Sequence, residues 1–160
     1  MKISVFAVGR MKTGPEKELA DRYFERFSKS GPAVGLEFSG IVEIPESRAQ
    51  GPAERKRDEA DRLRPQLAAG AALILLDERG KSISSQDFAG RIAALRDGGR
   101  RSLVIAIGGP DGHDPSSRET AELVISFGAQ TWPHQMVRIM LAEQLYRTAT
   151  ILSGHPYHRE

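Results

Sequence analysis

The sequence predicts an α/β fold: a mostly parallel sheet with helices on both faces. Three observations carry this. Five short apolar runs are near-continuous and rich in β-branched residues, the pattern of strands covered on both sides. Helical patterns separate them, so strand and helix alternate. A chain of 160 residues without cysteine buries about two-thirds of its unfolded surface and needs no staples. One domain, 1–160, is expected.

The first strand is 3–8, IleSerValPheAlaVal. Leu19, Tyr23, Phe24 and Phe27 then share one helical face. The second strand, 36–44, is interrupted by Glu37, Ser39, Gly40 and Glu43. A charged helix over 54–64 ends or kinks at Pro65. The third strand is 71–76. Phe88, Ile92 and Leu95 recur at helical spacing behind Ser84-Ser85-Gln86-Asp87, which can cap. The fourth strand is 103–107. Asp114-Pro115 reads as the N-cap and first residue of another helix. The fifth strand is 123–127. The last helix starts near Pro133, runs to about Leu152 and stops at Gly154.

Composition narrows the function classes. The absence of cysteine excludes a disulfide scaffold, a thiolate zinc site and a cysteine nucleophile. No apolar run approaches the ~20 residues of a membrane span, and the N-terminus does not read as a signal peptide. With 23 Lys+Arg against 21 Asp+Glu, the net charge is +2. That permits nucleic acid without demanding it, and gives little phosphate affinity. Arg55, Lys56 and Arg57 are nearly cancelled by Glu54, Asp58, Glu59 and Asp61, and read as a solvated helix face.

Three stretches carry chemistry. Gly80-Lys81-Ser82 imitates the end of a phosphate loop, but Leu75 stands where that motif needs glycine, so an ordinary polar turn is expected. Ile107-Gly108-Gly109-Pro110-Asp111-Gly112-His113 follows a strand and lets backbone approach a ligand closely. It is not a dinucleotide fingerprint. The final stretch holds Trp132, the chain's only tryptophan, together with His134, His155 and His158. His155 and His158 lack further ligands for a metal. The tail's rings and cation suit stacking on a nucleobase and bonding to its edge. The helix before it is apolar nearly all round, apart from a stripe of Glu143, Arg147 and Thr150. Such a helix is covered on several sides, one of them by a partner subunit. Arg138 and Gln144 fall among apolar neighbours, where arginine either pairs or snorkels.

Together, VFAVGRMK, LDERGK, IGGPDG, TWPHQMVRIMLAEQLYR and the terminal HPYHRE resemble the SPOUT methyltransferases. Within them the match is to the ribosomal large-subunit RNA methyltransferase H family, along the whole chain. Thr148 stands where that family usually has alanine. The resemblance implies a C-terminal trefoil knot, a homodimer and S-adenosyl-L-methionine as methyl donor. The implied reaction is methylation of N3 of a pseudouridine in 23S rRNA within the assembled 70S ribosome. That activity is cytoplasmic and needs neither metal nor membrane.

Carried over by motif, the cofactor pocket uses Leu76, Gly108, Gly109 and the run Phe127, Gly128, Ala129, Gln130, Thr131 and Trp132. For the chemistry, Arg138 is the first candidate to stabilise charge on the base, with Arg159 second. His155 or His158 is the candidate base. Tyr157 stacks on or hydrogen-bonds the target. A tail that crosses to the partner's pocket makes the site composite. Two rival readings remain at this stage: a nucleotide-binding regulator, and a non-catalytic ribosome assembly factor of the same fold.

Overall fold

The structure is a computed structural model that describes residues 1–67 and 70–159. Its elements are β1 (Lys2–Val8), α1 (Pro15–Ser30), β2 (Glu37–Ile44), α2 (Pro52–Leu63), β3 (Ala72–Ser82), α3 (Ser85–Asp97), β4 (Ser102–Ile107), α4 (Pro115–Thr120), β5 (Leu123–Ser126) and α5 (His134–Ser153). The sheet order is β2-β1-β4-β3-β5, and every neighbouring pair is parallel.

Near-continuous apolar strands serve two cores because alternate side chains face opposite ways. Ile3, Val5, Ile74 and Ile105 point to one face, where Phe24 and Phe27 of α1, Phe88 and Ile92 of α3, and Leu141 and Leu145 of α5 cover them. Phe6, Val8, Leu73, Leu75 and Val104 point to the other face, under Leu63 of α2. Leu19 departs from the predicted apolar face of α1 and is 37% exposed.

The helix signals act locally as expected. The Ser84 side chain accepts from the backbone N–H of Asp87, and Asp114 accepts from that of Ser116. Each satisfies an amide that the first helical turn leaves without a partner. Gly154 closes α5 in the left-handed conformation, at φ 67°.

One element differs in kind. The stretch after Leu76, expected as a turn into the next helix, remains part of β3 down to Ser82. Leu76 pairs with Ile125, and so does Lys81, so residues 77–80 loop out of the ladder. Gly80 permits this, since a β-carbon there would lie 2.4 Å from the carbonyl carbon of Ile125. β5 ends at Ser126, which leaves Phe127 in the following loop.

Candidate active site

Parallel strands deliver their loops to one end of the sheet, and ligands bind beyond the carboxyl ends. Here the excursion of residues 77–80 within β3 and the loops after β4 and β5, with the first turn of α5, line a cavity of about 520 Å³. Leu76, Ile107, Ile125, Phe127, Trp132 and Val137 give it apolar wall, while Asp77, Glu78, Gln130 and the glycine loop give polar groups. That volume and mixture suit a nucleoside-sized ligand.

Of the residues assigned to the cofactor, Leu76, Gly108, Gly109, Phe127, Gln130, Thr131 and Trp132 line this cavity. Gly128 and Ala129 belong to the same loop but not to the wall. Gly128 shapes the loop instead: it sits at φ 116°, and its N–H donates to Ser126 Oγ, which donates back to the Gly128 carbonyl.

The two glycines of the β4 loop are required by what lies behind them. A β-carbon on Gly108 would come 3.1 Å from Nε2 of His113, and one on Gly109 would come 3.0 Å from Oε2 of Glu59. This packing adds a second requirement for bare backbone to the expected close approach of a ligand.

His113, Asp77, Arg118, Arg55, Asp111 and Glu59 brace the cavity; Asp77, Asp111 and His113 fall within the quoted motifs, but none of the six was assigned a site role from the sequence. His113 Nε2 lies 2.9 Å from the Leu76 carbonyl, which ties the β4 loop to the end of the paired part of β3. Burial pushes the His113 pKa down, against the hydrogen bond to that carbonyl. The Asp77 carboxylate, 6% exposed, pairs with Arg118 at 2.5 Å. Burial works to raise its pKa, but the Arg79 N–H and the Arg118 guanidinium outweigh burial and hold it low. Arg55 grips Asp111 through two bonds of 2.6 and 3.1 Å and also donates to the carbonyls of Ala49 and Gln50. The supposed solvated basic face of α2 therefore anchors the glycine loop, with Lys56 at the cavity wall. These pairs join residues far apart in the chain, which local pattern does not reveal.

Arg138 does not line the cavity. It is 2% exposed, donates through one Nη to Glu43 and through the other to the Gly9 carbonyl at 2.9 Å. It pairs; it does not snorkel. Gly9 sits at φ 90°, and a β-carbon there would come 3.2 Å from Nε2 of His134. His134 and Arg138, one turn apart, thus key the start of α5 onto the end of β1.

The tail folds onto the far part of its own α5. Glu143 Oε1 accepts from Arg147 Nε at 2.9 Å and from the Tyr157 hydroxyl at 3.0 Å. The Tyr157 ring packs 4.7 Å from that of Tyr146, beneath the Arg147 guanidinium at 4.9 Å. Burial, with hydrogen bonds to Tyr23 and Glu143, pushes the Tyr157 pKa well up, so it stays a phenol. Arg147 reaches Nδ1 of His158 at 3.2 Å. His155 and Arg159 are exposed. At 1.5 Å per residue, Arg147 lies roughly 20 Å along α5 from His134 at the cavity. The structure therefore gathers most of the residues expected at the cofactor in one place and the tail residues in another. Nearby, Thr148 is buried and donates to the Gln144 carbonyl, while the Gln144 side chain accepts from Ser85 of α3.

Comparisons with known proteins agree on the kind of protein this resembles. Residues 1–158 match the family described as "Predicted SPOUT methyltransferase". A ribosomal RNA large subunit methyltransferase H from Mesorhizobium japonicum is 75% identical, with 99% of each chain covered. One from Brucella anthropi is 64% identical, again over 99% of both. Among solved structures, a TrmH/SpoU tRNA modifying enzyme of A. aeolicus aligns at TM-score 0.46 with 12% identity, covering 99% of this chain and 81% of that one.

Proposed function

Since the chain belongs to the SPOUT methyltransferase family, we propose that it methylates 23S rRNA in the assembled 70S ribosome, at N3 of a pseudouridine, as a cytoplasmic homodimer with S-adenosyl-L-methionine as donor. The relatives' names support the rRNA substrate. The observation that carries the two-subunit reading is the separation just described. One chain holds a nucleoside-sized cavity and a ring-rich tail, roughly 20 Å apart along α5. Two chains packed through α5 in opposite directions bring each tail to the other's cavity. The trefoil knot belongs to the same reading, formed by the cavity loops of residues 76–80, 108–114 and 127–132.

The donor supplies a methyl carbon on a sulfonium, which transfers without metal assistance. The protein must hold N3 in line with that carbon, favour loss of the N3 proton and stabilise charge on O2 and O4. Alignment contributes several kcal/mol and a well-placed donor about 3 kcal/mol. Tyr157 stacks on or bonds to the base from the tail. With Arg138 committed to Glu43 and Gly9, the charge role passes to Arg159, exposed beside His158.

The test is complementation on intact 70S ribosomes. A subunit lacking 155–160 is mixed with a full-length Gly108→Val subunit, and the modified nucleotide is mapped by mass spectrometry. Each parent alone transfers poorly at limiting donor, whereas a mixed dimer regains one of its two sites, so an equal mixture recovers up to half a site per subunit pair. No regain, with both parents dimeric, would sink the composite site. A product methylated elsewhere than N3 would sink the chemistry.

A further inference from the structure

Both tail histidines already have one ring nitrogen occupied by a donor. Arg147 Nη1 lies 3.2 Å from Nδ1 of His158. A guanidinium can only donate, so Nδ1 is the acceptor and the ring proton sits on Nε2. The backbone N–H of Tyr157 donates to Nδ1 of His155 at 3.1 Å, and the same reasoning applies. Turning either ring over would set a carbon against those donors. Nε2 of His158 is buried and meets no partner among the described residues. It is a donor that lacks an acceptor.

We infer that Arg147 and the Tyr157 backbone amide lock the tail histidines as Nε2–H tautomers, so that neither takes the target base's proton and the exposed His155 meets its carbonyl oxygens as a hydrogen-bond donor. This rests on the pseudouridine reading above. The N3–H bond breaks with its electron pair left on N3 and shared with O2 and O4. The proton goes to water. The His155 Nε2–H stabilises the resulting anion, whose N3 pair then forms the bond to the methyl carbon as the carbon–sulfur bond breaks with its electron pair left on sulfur. Imidazole lowers the cost of deprotonation without being the base, because its lone pairs are spent on Arg147 and on the tail's own backbone.

Arg147 is then a positioning residue, and Glu143 positions it in turn. The Glu143 hydrogen bonds raise the Arg147 pKa further, so the guanidinium remains a donor at every working pH. The ionisable and charged groups facing this cluster are Glu143 and Arg147 on α5, Tyr23 and Arg26 on α1, and Tyr157 in the tail. None of them is an alternative acceptor for a proton from N3: Glu143 is engaged by Arg147 and Tyr157.

Two measurements decide this. The first is nitrogen-15 correlation of the imidazole rings in the uniformly labelled protein at about pH 8, where imidazole is neutral. Native His158 should show Nε2–H alone, and Arg147→Met should relax it to the mixed tautomers of a free side chain, with Arg147→Lys between them. An Nδ1–H tautomer at either histidine, or no change in Arg147→Met, would overturn the lock. The second is single-turnover methyl transfer to 70S ribosomes at saturating donor. The rate should keep rising about tenfold per unit through and beyond the imidazole range near 6.5. A plateau set in that range would show a histidine taking the proton and overturn the donor role. Ribosomes left unmethylated at every pH would count against the substrate reading, and the ring spectra would still report the tautomers.

Discussion

Gly80 lies so close to the backbone of Ile125 that a β-carbon would sit 2.4 Å from its carbonyl carbon. The contact lets β3 loop out four residues and return to pair beside β5. The looped residues form part of the cavity wall. Gly80→Ala must push two strands apart, and overpacking of this kind costs about 1–3 kcal/mol. Urea unfolding should show that loss. An unchanged midpoint would mean the loop slides freely.

Gly108→Val tests the packing behind the β4 loop. The valine meets His113 before it meets any ligand. His113 must then leave the Leu76 carbonyl, which lies at the edge of the cavity. Calorimetry should show donor affinity reduced by at least tenfold, together with a stability loss of about 1–3 kcal/mol. Lost affinity at native stability would place the obstruction in the cavity itself.

Arg138→Met removes a buried cation and leaves Glu43 and the Gly9 carbonyl without it. Breaking a fully buried pair costs about 3–5 kcal/mol. Glu43 keeps 31% side-chain exposure and retains the Met11 N–H, so about 2–3 kcal/mol is expected here. Donor affinity should fall only as far as the start of α5 shifts. A variant of native stability that had lost methyl transfer would return Arg138 to a direct chemical role.

Glu59 gives a pH prediction with an unusual sign. The residue is 7% exposed, and its Oε1 accepts one backbone N–H, from Ser47, at 3.0 Å. Burial pushes the pKa up, against the Ser47 hydrogen bond. The folded state then binds the proton more tightly than the unfolded state. Its contribution is full below the unfolded value near 4.3 and is lost as pH rises through the folded one. Glu59→Gln keeps an acceptor for Ser47 without the buried charge. Its urea midpoint should exceed the parent's at neutral pH, and the gap should close towards about pH 4. A lower midpoint at neutral pH would mean that Glu59 has a cationic partner.

Deleting 155–160 removes the Tyr157 packing and two bonds to the α5 cluster, but none of the fully buried core. Stability should fall by about 1 kcal/mol, since these groups are partly solvated. Donor binding should persist, while methyl transfer to ribosomes should fall by several orders of magnitude. Light scattering should give twice the mass of one chain for both proteins. Parental transfer by the truncated protein would reduce the tail to a frayed terminus.

The sequence by itself determined the order of elements. β1, β4 and the start of β3 were legible because alternate residues face two cores, so the run is apolar, whereas β2 at the sheet edge is broken by Glu37, Ser39, Gly40 and Glu43. Helix starts were legible where a side chain caps its own turn, as at Ser84 and Asp114, and the stop at Gly154 needed only one residue's backbone freedom. Leu76, Gly108, Phe127 and Trp132 were named through the resemblance, and they line the cavity because loops at parallel strand ends converge.

Tertiary structure alone decided how those parts are held. Arg138 could pair or snorkel on sequence grounds, and only the fold sets Glu43 and the Gly9 carbonyl against it. Arg55 reads as solvated charge until Asp111 is found. His113 needed the Leu76 carbonyl, and Gly80 needed Ile125. In each case the partner lies dozens of residues away or on another strand. A hydrogen bond or a steric clash depends on distance in space, which local sequence pattern does not encode. The continuation of β3 past Leu76 was hidden for the same reason: its polar residues look like a turn, and only pairing with β5 makes them a strand.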